Sequence, residues 1–316
     1  MARNVPKNVG DLQMITYLTH DRIDKNRWDE CVAHAVNGNV YAWSWYLDVV
    51  HPGWEALVEV IDGNYLSIMP ITCKKKYLIP YLCQPFFVQQ LGVFSVDPLP
   101  KSKVVAFLQA IPAKFRLVEI RLNEGNFLDE GCKGVAFHRN HLLGLNYSYE
   151  ALSSHYHENT RRNLKKSLNC NLRLVKDVPI QKVIDLFRAH RGASIRHWGD
   201  AEYERLARLS ACAITSSNAF VYSIKNSDND DVICGALFLK SHQRITFLFS
   251  GNGAVGMETQ AMTFLIDQVI QEFAGQSMTF DFEGSDDDNL ARFYQGFGST
   301  PVTYPAFNYR FKNPLR

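Results

Sequence analysis

The run Thr279-Phe280-Asp281-Phe282-Glu283 places two acids two residues apart, a spacing that could do chemistry. Strand alternation sends Asp281 and Glu283 to one face and the two phenylalanines to the other. A carboxyl on a cleft wall, its pKa raised toward working pH by burial, can take a proton from an amine. The same acids, with Ser285 and residues 286–288, equally suit the cap and first turn of a helix opening at Asn289. A second group, Gly251, Asn252, Gly253, Ala254 and Gly256, lies between a strand and a helix. Glycines there let the backbone approach a ligand and leave helix-start amides free for an anion; a tight turn needs them just as much. The third group is the cationic row Arg161, Arg162, Lys165 and Lys166, whose i,i+3 and i,i+4 spacings crowd like charge on one helix. A solvated face accommodates this, and so does an anionic partner such as a tRNA backbone, a nucleotide-linked precursor or an acidic carrier protein. In the first half, Gln84, Gln89 and Gln90 surround Phe86 and Phe87, and Tyr41, Trp43, Trp45 and Tyr46 crowd a single helix. Both could line a cleft for a polar acceptor, although an aromatic helix more often forms core.

Positioning these groups requires a scaffold with a recognisable order. In the first half a strand over residues 12–18 and a helix over 24–35 precede the aromatic helix at 41–50. Asp62-Gly63-Asn64 then separates two β-rich runs, 54–61 and 65–72, which predicts an antiparallel hairpin. A strand-like run at 86–94, a helix carrying Val104, Val105, Leu108 and Ile111, and strands at 115–122 and 135–145 complete this half. The second half opens with a polar helix over 149–168 and a strand at 172–176, followed by helices at 180–190 and 201–215. Strands at 220–225, 232–240 and 244–249 form a meander, with an acidic turn at 227–231 between the first two. A helix with Met262, Leu265, Ile266, Val269 and Ile270 on one stripe, a strand at 278–282, a short helix at 289–297 and a strand at 304–311 follow. The halves share this order, which suggests duplication into domains at 1–147 and 148–316. Helical crossovers combined with consecutive strands give an α+β class with mixed, mostly antiparallel sheets flanked by helices.

Composition narrows the function classes. The 316 residues are 46% hydrophobic and 21% charged, an ordinary globular balance sufficient for about two domains. With 34 basic and 32 acidic side chains, the formal charge of +2 is too small for a protein that wraps nucleic acid over its whole surface. The longest apolar stretch, residues 77–88, is interrupted by Pro80, Gln84 and Pro85, so no membrane span is expected. Residues 1–20 do not read as a secretory signal, and the seven scattered cysteines contain no C-x-x-C pair. A cytoplasmic protein with free thiols is the expectation. The ten histidines give no H-E-x-x-H, and no metal site is expected.

Several of these segments also resemble a known family. Residues 244–249 leading into Ser250-Gly251-Asn252-Gly253-Ala254-Val255-Gly256, then Phe280 to Ser285, and Ala291-Arg292-Phe293-Tyr294-Gln295-Gly296-Phe297-Gly298 resemble the GNAT acyltransferase fold. The repeated order, with the basic helix at 157–166, resembles its FemABX-like branch of tandem GNAT proteins. Ser250 departs from the pattern, in which Gln or Arg opens the pyrophosphate loop. The resemblance implies acyl-CoA as cosubstrate, its diphosphate held at Gly251, Asn252, Gly253, Ala254 and Gly256, and Tyr294 as the acid for a departing thiolate. It also implies an amine acceptor, small or nucleotide-linked, with the first domain on the acceptor side. Aminoacyl-tRNA or an acyl carrier protein are alternative donors, and a non-catalytic binding protein on the same scaffold is the reading from another class. Direct attack needs no nucleophilic side chain, which agrees with the lack of a G-x-S-x-G elbow. These assignments require the glycine bend and the Tyr294 helix to face one solvent-reachable slot.

Overall fold

The computed structural model describes residues 14–176, 178–195, 198–227, 230–284 and 286–310. In the first half, β1 (Ile15–Leu18) pairs antiparallel with β2 (Glu55–Ile61), and β2 with β3 (Asn64–Ile71). The tight turn has Asp62 at φ 49° and Gly63 at φ 81°, the left-handed pair that a two-residue hairpin needs. Helix α1 (Lys25–His34) is capped by the Asp24 carboxylate, which accepts from the Asn26 and Arg27 amides. The aromatic segment is a 3-10 turn followed by α2 (Ser44–Val50). A second hairpin, β4 (Cys73–Lys76) with β5 (Ile79–Cys83), comes next, then β6 (Phe94–Ser95), α3 (Lys101–Gln109), β7 (Leu117–Arg121) and β8 (Val135–Gly144).

The second half holds α4 (Tyr149–Ser154), α5 (Glu158–Leu168), β9 (Leu172–Lys176), α6 (Ile180–Ala189) and α7 (Asp200–Thr215). The meander β10 (Ala219–Asn226), β11 (Val232–Ser241) and β12 (Arg244–Asn252) leads to α8 (Ala254–Glu258) and α9 (Ala261–Phe273). Then come β13 (Thr279–Asp281), α10 (Asp288–Gln295) and β14 (Thr300–Arg310).

Strand pairing crosses the midpoint of the chain. A four-stranded sheet has order β1-β2-β3-β6, and a ten-stranded sheet runs β4-β5-β7-β14-β8-β13-β12-β11-β10-β9. First-half strand β8 therefore lies between second-half strands β13 and β14, while β14 reaches across to β7. On β11, Leu237 and Leu239 face a core shared with α6, α7, α1 and α2, whereas Cys234, Ala236 and Phe238 face a core shared with α9 and α10. Helix α3 closes a third core over β5 and β7. Strand alternation thus puts α6 and α9 on opposite faces of the large sheet.

Three segments differ from the sequence reading. Residues 86–94 are mostly irregular, the β4–β5 hairpin was not foreseen, and the polar helix breaks at 155–157 into α4 and α5. The parts of the expected strands at 12–13 and 311, of the turn at 228–229, and Ser285 lie outside the described residues.

Candidate active site

The pairing of β12 with β13 sets the site. It is parallel and covers only Arg244–Thr246 against Thr279–Asp281. Strand β12 then continues to Asn252, but the chain after Asp281 turns away, with Glu283 at φ 54° and Gly284 at φ 39°. Gly284 is required there: a Cβ would lie 2.3 Å from the Arg139 carbonyl oxygen. This turn aims the Glu283 side chain toward the first half, where the Tyr41 hydroxyl, 242 residues away in sequence, donates to it.

Glu283 lines a cavity of about 340 Å³ with Phe87, Val88, Gln89, Arg121, Trp198 and Tyr304 among its walls. A neighbouring cavity of about 630 Å³ shares Phe87, Val88 and Arg121 and adds Lys74, Gln84 and His138. Together they make one groove lined by both halves of the chain. Burial, with repulsion from Asp281, pushes the Glu283 carboxyl up to about 8; the Tyr41 hydrogen bond and Arg121 pull the other way. Arg121 is exposed and has no ion-pair partner among the described residues. Burial and the Glu283 charge raise the Tyr41 and Tyr46 phenols well above their ordinary range, so both stay protonated donors.

The irregular 86–94 segment is held in place rather than loose. Tyr46 donates to the Phe87 carbonyl, and the Gln84 amide donates to the Val88 and Gln89 carbonyls, each at 3.2 Å. Phe87 sits at φ 63°, a conformation that a bulky side chain adopts only under external support. Its ring meets Trp198 edge-on at 5.2 Å, forming an aromatic wall. His138 stacks on Tyr304 at 5.6 Å and bonds Asp286 at 2.6 Å, which organises the rim.

Several residues singled out in the sequence have other surroundings. Asp281 is fully engaged: Oδ1 accepts from Asn140 Nδ2 at 3.0 Å and the Glu283 amide at 2.8 Å, and Oδ2 from Arg244 at 2.9 Å. With 2% exposure it holds structure together rather than waiting for a substrate proton. Tyr294, 7% exposed, packs against Phe282 at 5.0 Å in the α9-side core. Gly251 abuts α6 on the opposite face, where a Cβ would lie 2.2 Å from the Val183 carbonyl oxygen. Gly256 is crowded by the Ile233 carbonyl, 2.4 Å from an added Cβ. The cavity that Gly253 and Ala254 line does not include Tyr294, and the Glu283 cavity includes neither the glycine bend nor Tyr294. Gly253 and Ala254 do line a surface cavity of about 760 Å³, but Asp185, Asp230 and Asp231 stand there against Lys182, Lys225 and His190. Lys225 is already paired to Asp230 at 2.6 Å, so that setting does not suit a diphosphate. Asn252 contributes a buried Oδ1 with no hydrogen-bond partner among the described residues.

Arg161, Arg162, Lys165 and Lys166 are all exposed on α5 and make no ion pair among the described residues. Arg162 does donate to Asn159 Oδ1 at 2.6 Å. Arg121 and Trp198, central to the groove, were not recognised from sequence. Arg121 ends an ordinary alternating strand, and Trp198 is a lone aromatic in a polar stretch, so neither carries a local signal.

No family model and no curated protein matches the chain. Solved structures do. FemX superposes with a TM-score of 0.64 at 12% identity, over 94% of this chain and 97% of that one. The chain has a FemABX-like tandem GNAT fold. A tandem GNAT protein from the clavulanic acid biosynthesis pathway gives 0.54 at 10% identity, over 96% and 100% of the two chains. L-PGS from Bacillus licheniformis gives 0.51 at 10%, over 92% of each. At such identities the likeness carries the tandem GNAT fold alone. Among the described residues, no helix is long and apolar enough to cross a membrane.

The packing role of Gly251 makes a direct prediction. Gly251→Ala destabilises the fold by about 1–3 kcal/mol, because an added methyl has nowhere to go against Val183. Urea unfolding measures this, and unchanged stability would return the glycine bend to ligand binding.

Proposed function

We propose that this protein transfers an acyl or aminoacyl group from a thioester or ester donor to an amine, by direct attack within the groove between its halves. The observation that carries the reading is Glu283: a carboxyl raised to about 8, held by Tyr41, opening onto a groove beside the unpaired cation Arg121. Glu283 takes the proton that the amine must lose, and Arg121 holds an anionic group of the acceptor or the developing oxyanion. Residues 1–147 supply the acceptor side and residues 148–316 the base, a division that the exchanged strands β8 and β14 lock together.

Of the two donor classes, the surroundings of the glycine bend favour one whose handle is not a diphosphate. The free cations of α5 favour an extended polyanion, which makes aminoacyl-tRNA the donor of choice ahead of acyl-CoA. The names of two neighbours, FemX and L-PGS, agree with aminoacyl transfer.

The test offers the purified chain an amine acceptor with either a labelled coenzyme A thioester or a labelled aminoacyl-tRNA. Transfer is expected with the tRNA donor, salt-sensitive, and with a rate that rises to a plateau above about pH 8 as Glu283 ionises. Transfer from the thioester alone would reverse the donor assignment, and retention of both ligands without transfer would leave a binding protein on this scaffold.

A further inference from the structure

We propose that the β4–β5 hairpin docks the protein onto an anionic lipid surface, its apolar tip entering the headgroup–acyl boundary and its surrounding cations meeting the headgroups. Lys76 pairs with Ile79, so Tyr77 and Leu78 alone form the loop. Both have left-handed backbones, φ 48° and 67°. A two-residue turn of this kind strongly prefers Asn-Gly, and the cost of placing two bulky side chains there is not recovered by packing. Tyr77 is 88% exposed, Leu78 91% and Ile79 51%, so the three project together into solvent.

The surroundings are cationic. A groove of about 940 Å³ beside the tip is lined by Lys76, Arg116 and Arg310 against a single acid, Glu119, with Lys114 also there but paired to Glu55 at 3.3 Å, and Lys74 and Lys75 are exposed on β4. Lysines on an edge strand such as β4 also protect against strand-to-strand aggregation, which would account for them alone. It does not account for Tyr-Leu-Ile at the tip. A nucleic acid or an acidic protein would use the cations and leave the leucine in water. An anionic lipid surface uses both: an aromatic at the headgroup level, aliphatic side chains just below it, and basic residues around them. The inference stands independently of the transfer reaction, although Lys74 and Cys83 at the hairpin base also line the candidate groove.

The experiment is co-sedimentation of the full chain with vesicles of phosphatidylcholine, alone or mixed with phosphatidylglycerol. Binding is expected to the mixed vesicles only. The double variant Tyr77→Asn, Leu78→Gly puts favoured residues into the turn, so it should keep its circular dichroism and melt no lower than the parent. Its vesicle partitioning should fall roughly tenfold or more, from the lost leucine and tyrosine burial. Lys75→Gln and Lys76→Gln should each lower partitioning by about fivefold. The proposal is overturned if the parent stays in the supernatant, or if the folded Asn-Gly variant sediments undiminished, since the cations alone would then be responsible.

Discussion

Replacing Glu283 with glutamine is expected to lower the rate of amine acylation by roughly 10²–10⁴-fold while making the protein more stable at neutral and alkaline pH. The two effects share one cause. Glutamine has nearly the same shape and its carbonyl still accepts the Tyr41 hydrogen bond, but it cannot ionise. In the folded parent, the Glu283 carboxyl titrates near 8 because it is buried beside Asp281; in the unfolded chain, a glutamate titrates near 4.3. Between those values the unfolded chain has released the proton that the folded chain retains. The stabilisation of the folded state by this group is therefore fully present below about pH 4 and is lost as pH rises through about 8. The glutamine variant escapes that loss, so its advantage grows across the window and levels off above it, at a few kcal/mol at most. Denaturant unfolding at pH 5 and pH 8.5, together with single-turnover rates, measures both consequences. A rate unchanged by the substitution would remove Glu283 from the chemistry, and a stability difference independent of pH would remove the raised pKa.

Part of this molecule was readable from sequence because the relevant signals are local. The Asp62-Gly63 turn, the Asp24 cap and the apolar stripe of α9 each depend on residues within one or two turns of chain. The acids at 281 and 283 were visible as a close pair for the same reason, although the strand expected to carry both ends at Asp281 and a left-handed turn carries Glu283. Their different roles were not, because Arg244 and Asn140 engage Asp281 while Tyr41 engages Glu283, and each partner lies at least 37 residues away. The two misread segments of the first half differ in cause. Residues 86–94 have strand composition, yet Tyr46 and Gln84 fix their carbonyls in an irregular path. The β4–β5 hairpin turns on Tyr77-Leu78, which carries none of the usual turn chemistry. The exchange of β8 and β14 between the halves is a choice among long-range pairings, and nothing within either strand specifies it.

Asp281→Ala is expected to destabilise the protein by about 3–5 kcal/mol, a large share of the roughly 5–15 kcal/mol that holds a domain folded. Arg244 bridges Asp281 on β13 to Glu124 in the first half, and Asp281 also accepts from Asn140 and the Glu283 amide. Removing the carboxylate leaves the partly buried Arg244 guanidinium with Glu124 alone and takes the acceptor from the Asn140 and Glu283 donors at once. Asp281→Asn is the gentler variant: its side-chain oxygen can still receive the Glu283 amide, so the turn that aims Glu283 survives although the charge is lost. That charge helps to raise the Glu283 carboxyl, and without it the inflection of the pH–rate profile moves below 8 while the plateau rate is largely kept. A catalytic base at Asp281 would behave otherwise, since asparagine would then collapse the rate at every pH. A double-mutant cycle with Arg244→Met supplies the energetic half of the test. A coupling of about 1–3 kcal/mol is expected for residues in direct contact, and additive effects would show that the ion pair does not hold β12 to β13 at the site.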